Sequence, residues 1–118
     1  SAQVSRAAAQ LDEVLEAWRN RPLGEVVYLF LDARYEKVRM EGQVRDAAVL
    51  MAAGVDPQGQ RSILGVSVSL GEQEAHWRTF LQSLVTRGLR GVRLIISDDH
   101  AGLEAARKAV FGGLPWQR

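Results

Sequence analysis

The chain contains no cysteine, which excludes disulfides and thiolate metal sites and leaves the redox compartment undetermined. It also has no long hydrophobic run. The longest strongly apolar one, Val26-Val27-Tyr28-Leu29-Phe30-Leu31, is six residues, against the roughly 20 needed to span a bilayer. The start, Ser1-Ala2-Gln3-Val4-Ser5-Arg6, lacks the basic-then-apolar pattern of a secretory signal. Neither sign of charge dominates: 15 Lys and Arg against 14 Asp and Glu leave +1. That total argues neither for nor against a nucleic-acid partner, because patches matter more than sums. No phosphate-binding glycine loop, nucleophile elbow or metal-type His pair occurs, and no repeat, linker or low-complexity stretch. These absences predict a cytoplasmic protein with no membrane partner.

What is present is an ordinary globular composition, 47% hydrophobic and 25% charged over 118 residues. That is one domain or part of one, long enough to bury about two-thirds of its unfolded surface. Residues 4–20 read as a helix, with Val4, Ala8, Leu11, Leu15 and Trp18 at spacings of three and four. Asn20-Arg21-Pro22 stops it, because the residue before a proline is pushed out of the α region. Val26–Leu31 is apolar without alternation, as expected of a strand covered on both faces. Tyr35–Met40 and Val44–Val55 read as further strands, with splits or bulges left open. Asp56-Pro57-Gln58-Gly59 is a turn, Pro presetting φ and Gly supplying positive φ. Leu64, Val66, Val68 and Leu70 then alternate with Gly65, Ser67 and Ser69, a period of two with one polar face.

The period changes after that. Trp77, Phe80, Leu81, Leu84 and Val85 form a helical stripe; Ser69-Leu70-Gly71-Glu72 resembles a capping box, and Gly88 sits where a glycine ends a helix. Val92–Ser97 is a fourth strand. Leu103, Ala106, Val110 and Phe111 give a last helix, stopped by Gly112-Gly113 and Pro115, and Leu114–Arg118 reads as the start of another strand. The order is helix, three-strand antiparallel meander, helix, strand, helix. A helix linking strands of one sheet normally makes a right-handed crossover to a parallel position, so the first and fourth strands become central neighbours. Ligands of open α/β sheets bind outside the carboxyl ends of parallel strands. Those ends carry Asp32 and Asp98, and acidic residues gathered at a sheet edge commonly hold divalent metal. The predicted class is an α/β protein with a ribonuclease H-like mixed sheet, truncated, comprising a lead-in helix over 1–21 and the N-terminal part of the core over 22–118.

Several segments add a resemblance. Leu31-Asp32-Ala33-Arg34-Tyr35-Glu36-Lys37-Val38-Arg39 is similar to the hallmark around the first catalytic aspartate of bacterial mutator-type transposases. Ile96-Ser97-Asp98-Asp99-His100-Ala101-Gly102-Leu103 resembles their second-aspartate motif, and Trp116-Gln117-Arg118 the strand after it. Leu11-Asp12 and Ala17–Leu23 match before them and Ala48-Val49-Leu50, Leu64-Gly65-Val66, Trp77 and Arg87-Gly88-Leu89 between the two aspartate motifs, in order, so the likeness covers essentially the whole chain. It implies an insertion-sequence enzyme that cuts and joins DNA with two aspartates and a glutamate (a DDE triad) binding two Mg²⁺ or Mn²⁺ ions. Asp32 and Asp98 correspond to the aspartates as catalytic and metal-binding residues. The glutamate lies beyond Arg118 in the family, so no residue of this chain is its counterpart and the fragment is expected to be inactive. Implied partners are the transposon ends and target DNA, with a homo-oligomer in the full-length protein. The implied setting is the bacterial cytoplasm.

Each site residue has a bland reading too. Asp32 alone would be a turn residue at a strand end, and Asp98 or Asp99 alone a helix N-cap. The resemblance favours Asp32 and Asp98 as ligands and leaves Asp99, where the family more often has a small residue, as the cap. Arg34, Lys37, Arg39 and Arg45 are candidate phosphate contacts or a solvated strand face. His100 is a phosphate contact or an exposed first-turn histidine. His76, Arg87, Trp18, Trp77 and Trp116 read as structural. Two rival classes stand beside the enzyme. One is a non-catalytic ribonuclease H-like binding or assembly module from a degenerate element. The other is a phosphoacceptor receiver, which the meander disfavours.

Overall fold

A computed structural model describes residues 2–70, 73–98 and 101–118. The elements run α1 (Ala2–Asn20), β1 (Tyr28–Met40), β2 (Gln43–Val55), β3 (Arg61–Ser69), α2 (Gln73–Thr86), β4 (Leu94–Ser97), α3 (Ala101–Phe111) and β5 (Trp116–Gln117). The five strands form one sheet in the order β3-β2-β1-β4-β5. β1 pairs antiparallel with β2, and β2 with β3. β4 and β5 join in parallel. The expected mixed α/β sheet is present, and the first and fourth strands are neighbours. No described helix is long and apolar enough to cross a membrane.

The strand boundaries differ from the sequence reading. Val26–Leu31 and Tyr35–Met40 are not separate strands, because the ladder with β2 runs unbroken from Tyr28↔Val55 to Met40↔Gln43. The hairpin turns on two residues, Glu41 and Gly42, at φ 51° and 77°, the left-handed pair a tight type I′ turn requires. Asp32 therefore lies inside β1 rather than at its end; what ends beside it is the parallel ladder with β4, at Leu31↔Ser97. The Asp56 turn forms as expected. Its Oδ1 accepts from the amides of Gln58 (2.9 Å) and Gln60 (2.8 Å), and Gly59 takes φ 82°. The proposed capping box reaches Gly71 and Glu72, which lie outside the described residues.

The core lies on one side of the sheet. Leu29, Leu31, Leu50, Ala52 and Ile95 pack with Trp77, Phe80, Leu81 and Leu84 of α2 and with Leu103 and Ala106 of α3. Alternate residues of β1 point away, and Tyr28 and Phe30 remain 44% and 37% exposed. The unalternating run thus does not mark a strand covered on both faces, since α2 and α3 pack together on a single face. β3 reverses its expected polarity for the same reason. A bulge at Ala52/Ala53 leaves Leu64 and Gly65 both buried and turns Val66 and Val68 to the open face. Ser67 is the residue that faces α2, where its Oγ meets His76 Nε2 at 2.9 Å. α1 contributes no buried residue.

The crossover into β4 is tied at its base by backbone. Gly88 ends α2 at φ 104°, and a Cβ there would sit 2.8 Å from the Leu23 carbonyl oxygen. Leu23 N–H in turn donates to Arg87 O at 2.6 Å. Gly88→Ala should therefore cost at least about 1–2 kcal/mol, the ordinary penalty of a left-handed Cβ. Gly113, whose Cβ would meet nothing within 4 Å, should tolerate Ala within about 0.5 kcal/mol. Urea unfolding of both variants checks this, and equal midpoints would refute it.

Candidate metal and nucleic-acid site

Asp32 and Asp98 follow directly on Leu31 and Ser97, the last pair of the parallel ladder. Neighbouring strands lie about 4.8 Å apart, so the two aspartates leave the ladder side by side. Both are exposed and both line one cavity of about 200 Å³. Among the described residues its other walls are Leu31, Ala33, Tyr35, Trp77 and Leu103. The floor is therefore the top of the core and the carboxylates stand at its rim.

Two residues hold Asp98 in place that the sequence reading missed. Trp116 Nε1–H donates to Ser97 Oγ at 2.8 Å, and Ser97 Oγ–H donates to the Asp98 carbonyl at 3.2 Å. The Arg107 guanidinium, on α3, stacks 4.8 Å from the Trp116 ring centroid. β5, although two residues long, thus fixes the backbone of the second aspartate. The available signal was a serine in an otherwise apolar strand: a buried hydroxyl (Ser97 is 7% exposed) needs a partner, and a tryptophan carries a donor.

The cations nominated around Asp32 extend along the hairpin. Lys37 Nζ lies 2.9 Å from Asp46, and Arg34 Nε lies 3.9 Å from Glu36. Arg45 bonds Gln43 at 3.3 Å. Arg34, Lys37, Arg39 and Arg45 are all exposed, and none of them lines the aspartate cavity. His100 and Asp99 lie outside the described residues. His76 is half-buried against Ser67, and burial pushes its pKa down. Arg87 is structural, donating to the carbonyls of Arg21 (3.0 Å) and Leu64 (2.9 Å), with burial and then Arg21 lowering its pKa.

The donor set fits a hard divalent cation. Two carboxylates on adjacent strands offer oxygen ligands, which Mg²⁺ and Mn²⁺ prefer, with water filling the remaining positions. Among the described residues no three His, Asp or Glu side chains gather into a metal-binding group.

The sequence has counterparts among known proteins. The transposase for insertion sequence element IS406 of Burkholderia multivorans is 65% identical over 118 residues, covering 100% of this chain and 30% of the relative. The transposase for IS1081 of Mycobacterium tuberculosis is 48% identical, covering 98% of this chain and 28% of the relative. The transposase for IS256 in transposon Tn4001 of Staphylococcus aureus is 40% identical, covering 98% and 30%. This chain therefore spans about 30% of the length of those relatives. A chain of the simian T-cell lymphotropic virus intasome, solved with the PP2A regulatory subunit B56 gamma, superposes with TM-score 0.43 at 12% identity, over 82% of this chain and 33% of that one. The sequence model of the mutator-family transposases matches residues 1–118, and the chain belongs to that family.

Proposed function

We propose that this chain is part of the ribonuclease H-like catalytic core of an insertion-sequence transposase that cleaves and joins DNA strands with divalent metal. The observation that carries the reading is the shared cavity. Asp32 and Asp98 leave adjacent parallel strands together and border one pocket, 66 residues apart in sequence (98 − 32). The antiparallel meander followed by a parallel strand supports the ribonuclease H-like assignment.

In this reading Asp32 and Asp98 hold the metal. The bound ions supply charge stabilisation at both ends of an in-line phosphoryl displacement and ease deprotonation of the attacking hydroxyl. The strands' contribution is orientation. β1 is clamped by β2 and β4, so the Asp32 carboxylate is aimed by backbone, and Asp98 is aimed through Ser97 and Trp116. The core wall of Leu31, Trp77 and Leu103 keeps one side of the pair dry. Arg34, Lys37 and Arg39 contact DNA phosphates, Arg34 and Lys37 exchanging Glu36 and Asp46 for phosphate oxygens. His100 is a further phosphate contact. The third acidic ligand is supplied by no residue of this chain, which alone neither nicks nor joins DNA.

With two carboxylates present, Mn²⁺ should bind the 118-residue chain weakly, broadening the NMR signals of residues around Asp32 and Asp98 first. Broadening centred elsewhere, or persisting when both are replaced by Ala, would remove the metal assignment.

In a full-length protein carrying this chain, Asp32→Asn or Asp98→Asn should lower Mn²⁺-dependent DNA cleavage by more than about a hundredfold, since even outer-shell partners cost roughly 10–100-fold. The fold should survive, because Asn keeps the shape and loses only the charge. Asp99→Asn should have a smaller effect, because Asn caps helices well. Cleavage assays on the three variants decide: full activity in Asp32→Asn sinks the mechanism, and loss confined to Asp99→Asn moves the second ligand by one residue. A wild-type protein that binds DNA without cutting it would favour a binding or assembly module.

A further inference from the structure

Arg107 is a buried cation without a conventional partner. It is 7% exposed, and among the described residues it has neither an ion pair nor a hydrogen bond. Glu104, one turn earlier on α3, is paired with Lys108 at 2.8 Å. What Arg107 does contact is the face of Trp116, 4.8 Å from the ring centroid. Burying a guanidinium away from any carboxylate is unfavourable, and an apolar side chain of similar volume often serves stability as well or better. The charge therefore calls for a role other than holding α3 in place.

That role follows from where β4 stops. Asp32 lies inside β1, opposite Met51 of β2, so strand pairing fixes the peptide on each side of it. Asp98 lies one residue beyond Leu31↔Ser97, the last pair of its ladder, so pairing fixes only the peptide before it. The peptide after it is held by Ser97 Oγ–H on the Asp98 carbonyl (3.2 Å), and that hydroxyl is oriented by Trp116 Nε1–H (2.8 Å). Trp116 belongs to an edge strand of two residues, paired only at Ile95↔Trp116 and Ile96↔Gln117, which is too short to lock its ring. A cation over an aromatic face is attracted to it electrostatically, and here it fixes the plane in which the indole N–H points. Resting on the transposase reading above, we propose that Arg107 is a positioning residue for the second metal ligand. Through the Trp116 ring and the Ser97 hydroxyl it sets the direction of the Asp98 carboxylate. Outer partners of metal ligands are worth roughly 10–100-fold in affinity.

The test uses the 118-residue chain with Mn²⁺ as the probe, together with NMR of the metal-free protein. Arg107→Met should leave the thermal midpoint at or above wild type, yet weaken Mn²⁺ binding roughly tenfold. Without metal it should shift the signals of the Trp116 indole N–H and the Asp98 carbonyl carbon. Arg107→Lys, which keeps a cation for the ring, should lie nearer to wild type in both measurements. Trp116→Phe keeps the ring and removes the donor. It should weaken Mn²⁺ at least as much, and adding Arg107→Met to it should cost nothing further, because groups acting through one contact are not additive. Losses that multiply would overturn the proposal, by giving Arg107 another route to the site. A lowered midpoint in Arg107→Met with Arg107→Lys no better would make Arg107 a packing residue. Metal-free signals that stay in place in Arg107→Met would also overturn it. Signals that move while Mn²⁺ affinity holds would refute the positioning role and leave the transposase reading standing. Wild-type Mn²⁺ binding that avoids Asp32 and Asp98 would remove both.

Discussion

The parallel ladder between β1 and β4 is the contact on which the rest depends. It runs only from Tyr28↔Leu94 to Leu31↔Ser97, yet it joins the meander to everything that follows it. α2 carries the chain across the sheet, and its last turn is held to the segment before β1 by the Leu23 amide on the Arg87 carbonyl. Below the ladder the Val26 amide donates to Arg90 O (2.9 Å) and the Arg93 amide to Val27 O (2.8 Å). These fix the register, and a slip by one residue would swap the buried and open faces of β1. Leu29 and Leu31 would leave the core and Asp32 would enter it. Burial of those leucines therefore selects the register that sets Asp32 beside Asp98.

The sheet is finished on one face. α2 and α3 bury Leu29, Leu50, Leu81, Leu84 and Ile95 completely or nearly so. On the other face Tyr28, Phe30, Ile63, Val66 and Val68 remain 37–61% exposed. An uncovered apolar face of this kind marks an interaction surface in soluble proteins. The aspartates occupy the end of the β1–β4 ladder, where buried and open faces meet. The pair thus combines exposure to solvent with an apolar base.

The charges of the hairpin follow a different logic. Lys37 and Asp46 face each other across the ladder, a solvent-exposed pair worth little to stability. Such a pair costs correspondingly little to break. Cations elsewhere are committed to the fold. Arg87 is held by two carbonyls, and Arg107 lies 7% exposed against Trp116.

The sequence by itself determined every element that depends on neighbours within a few residues. Helical spacing marked α1, α2 and α3, Asp56–Gly59 made its turn, Gly88 ended its helix, and the two apolar runs before Asp32 and Asp98 became adjacent strands. The residues around those aspartates also carried the family resemblance. What only the tertiary structure decided was which side of each strand was covered. Periodicity states that a strand has two faces, but the choice between them rests on where distant helices pack. Hence Val66 and Val68 are open while Ser67 is turned inward, and Val26–Leu31 has one buried face rather than two. Asp32 proved to be mid-strand because β2 continues past the point where β4 stops, at a pair, Leu31↔Ser97, whose members are 66 residues apart (97 − 31). The Trp116–Ser97–Asp98 chain was hidden for the same reason, because hydrogen bonds between residues far apart leave no period in the sequence.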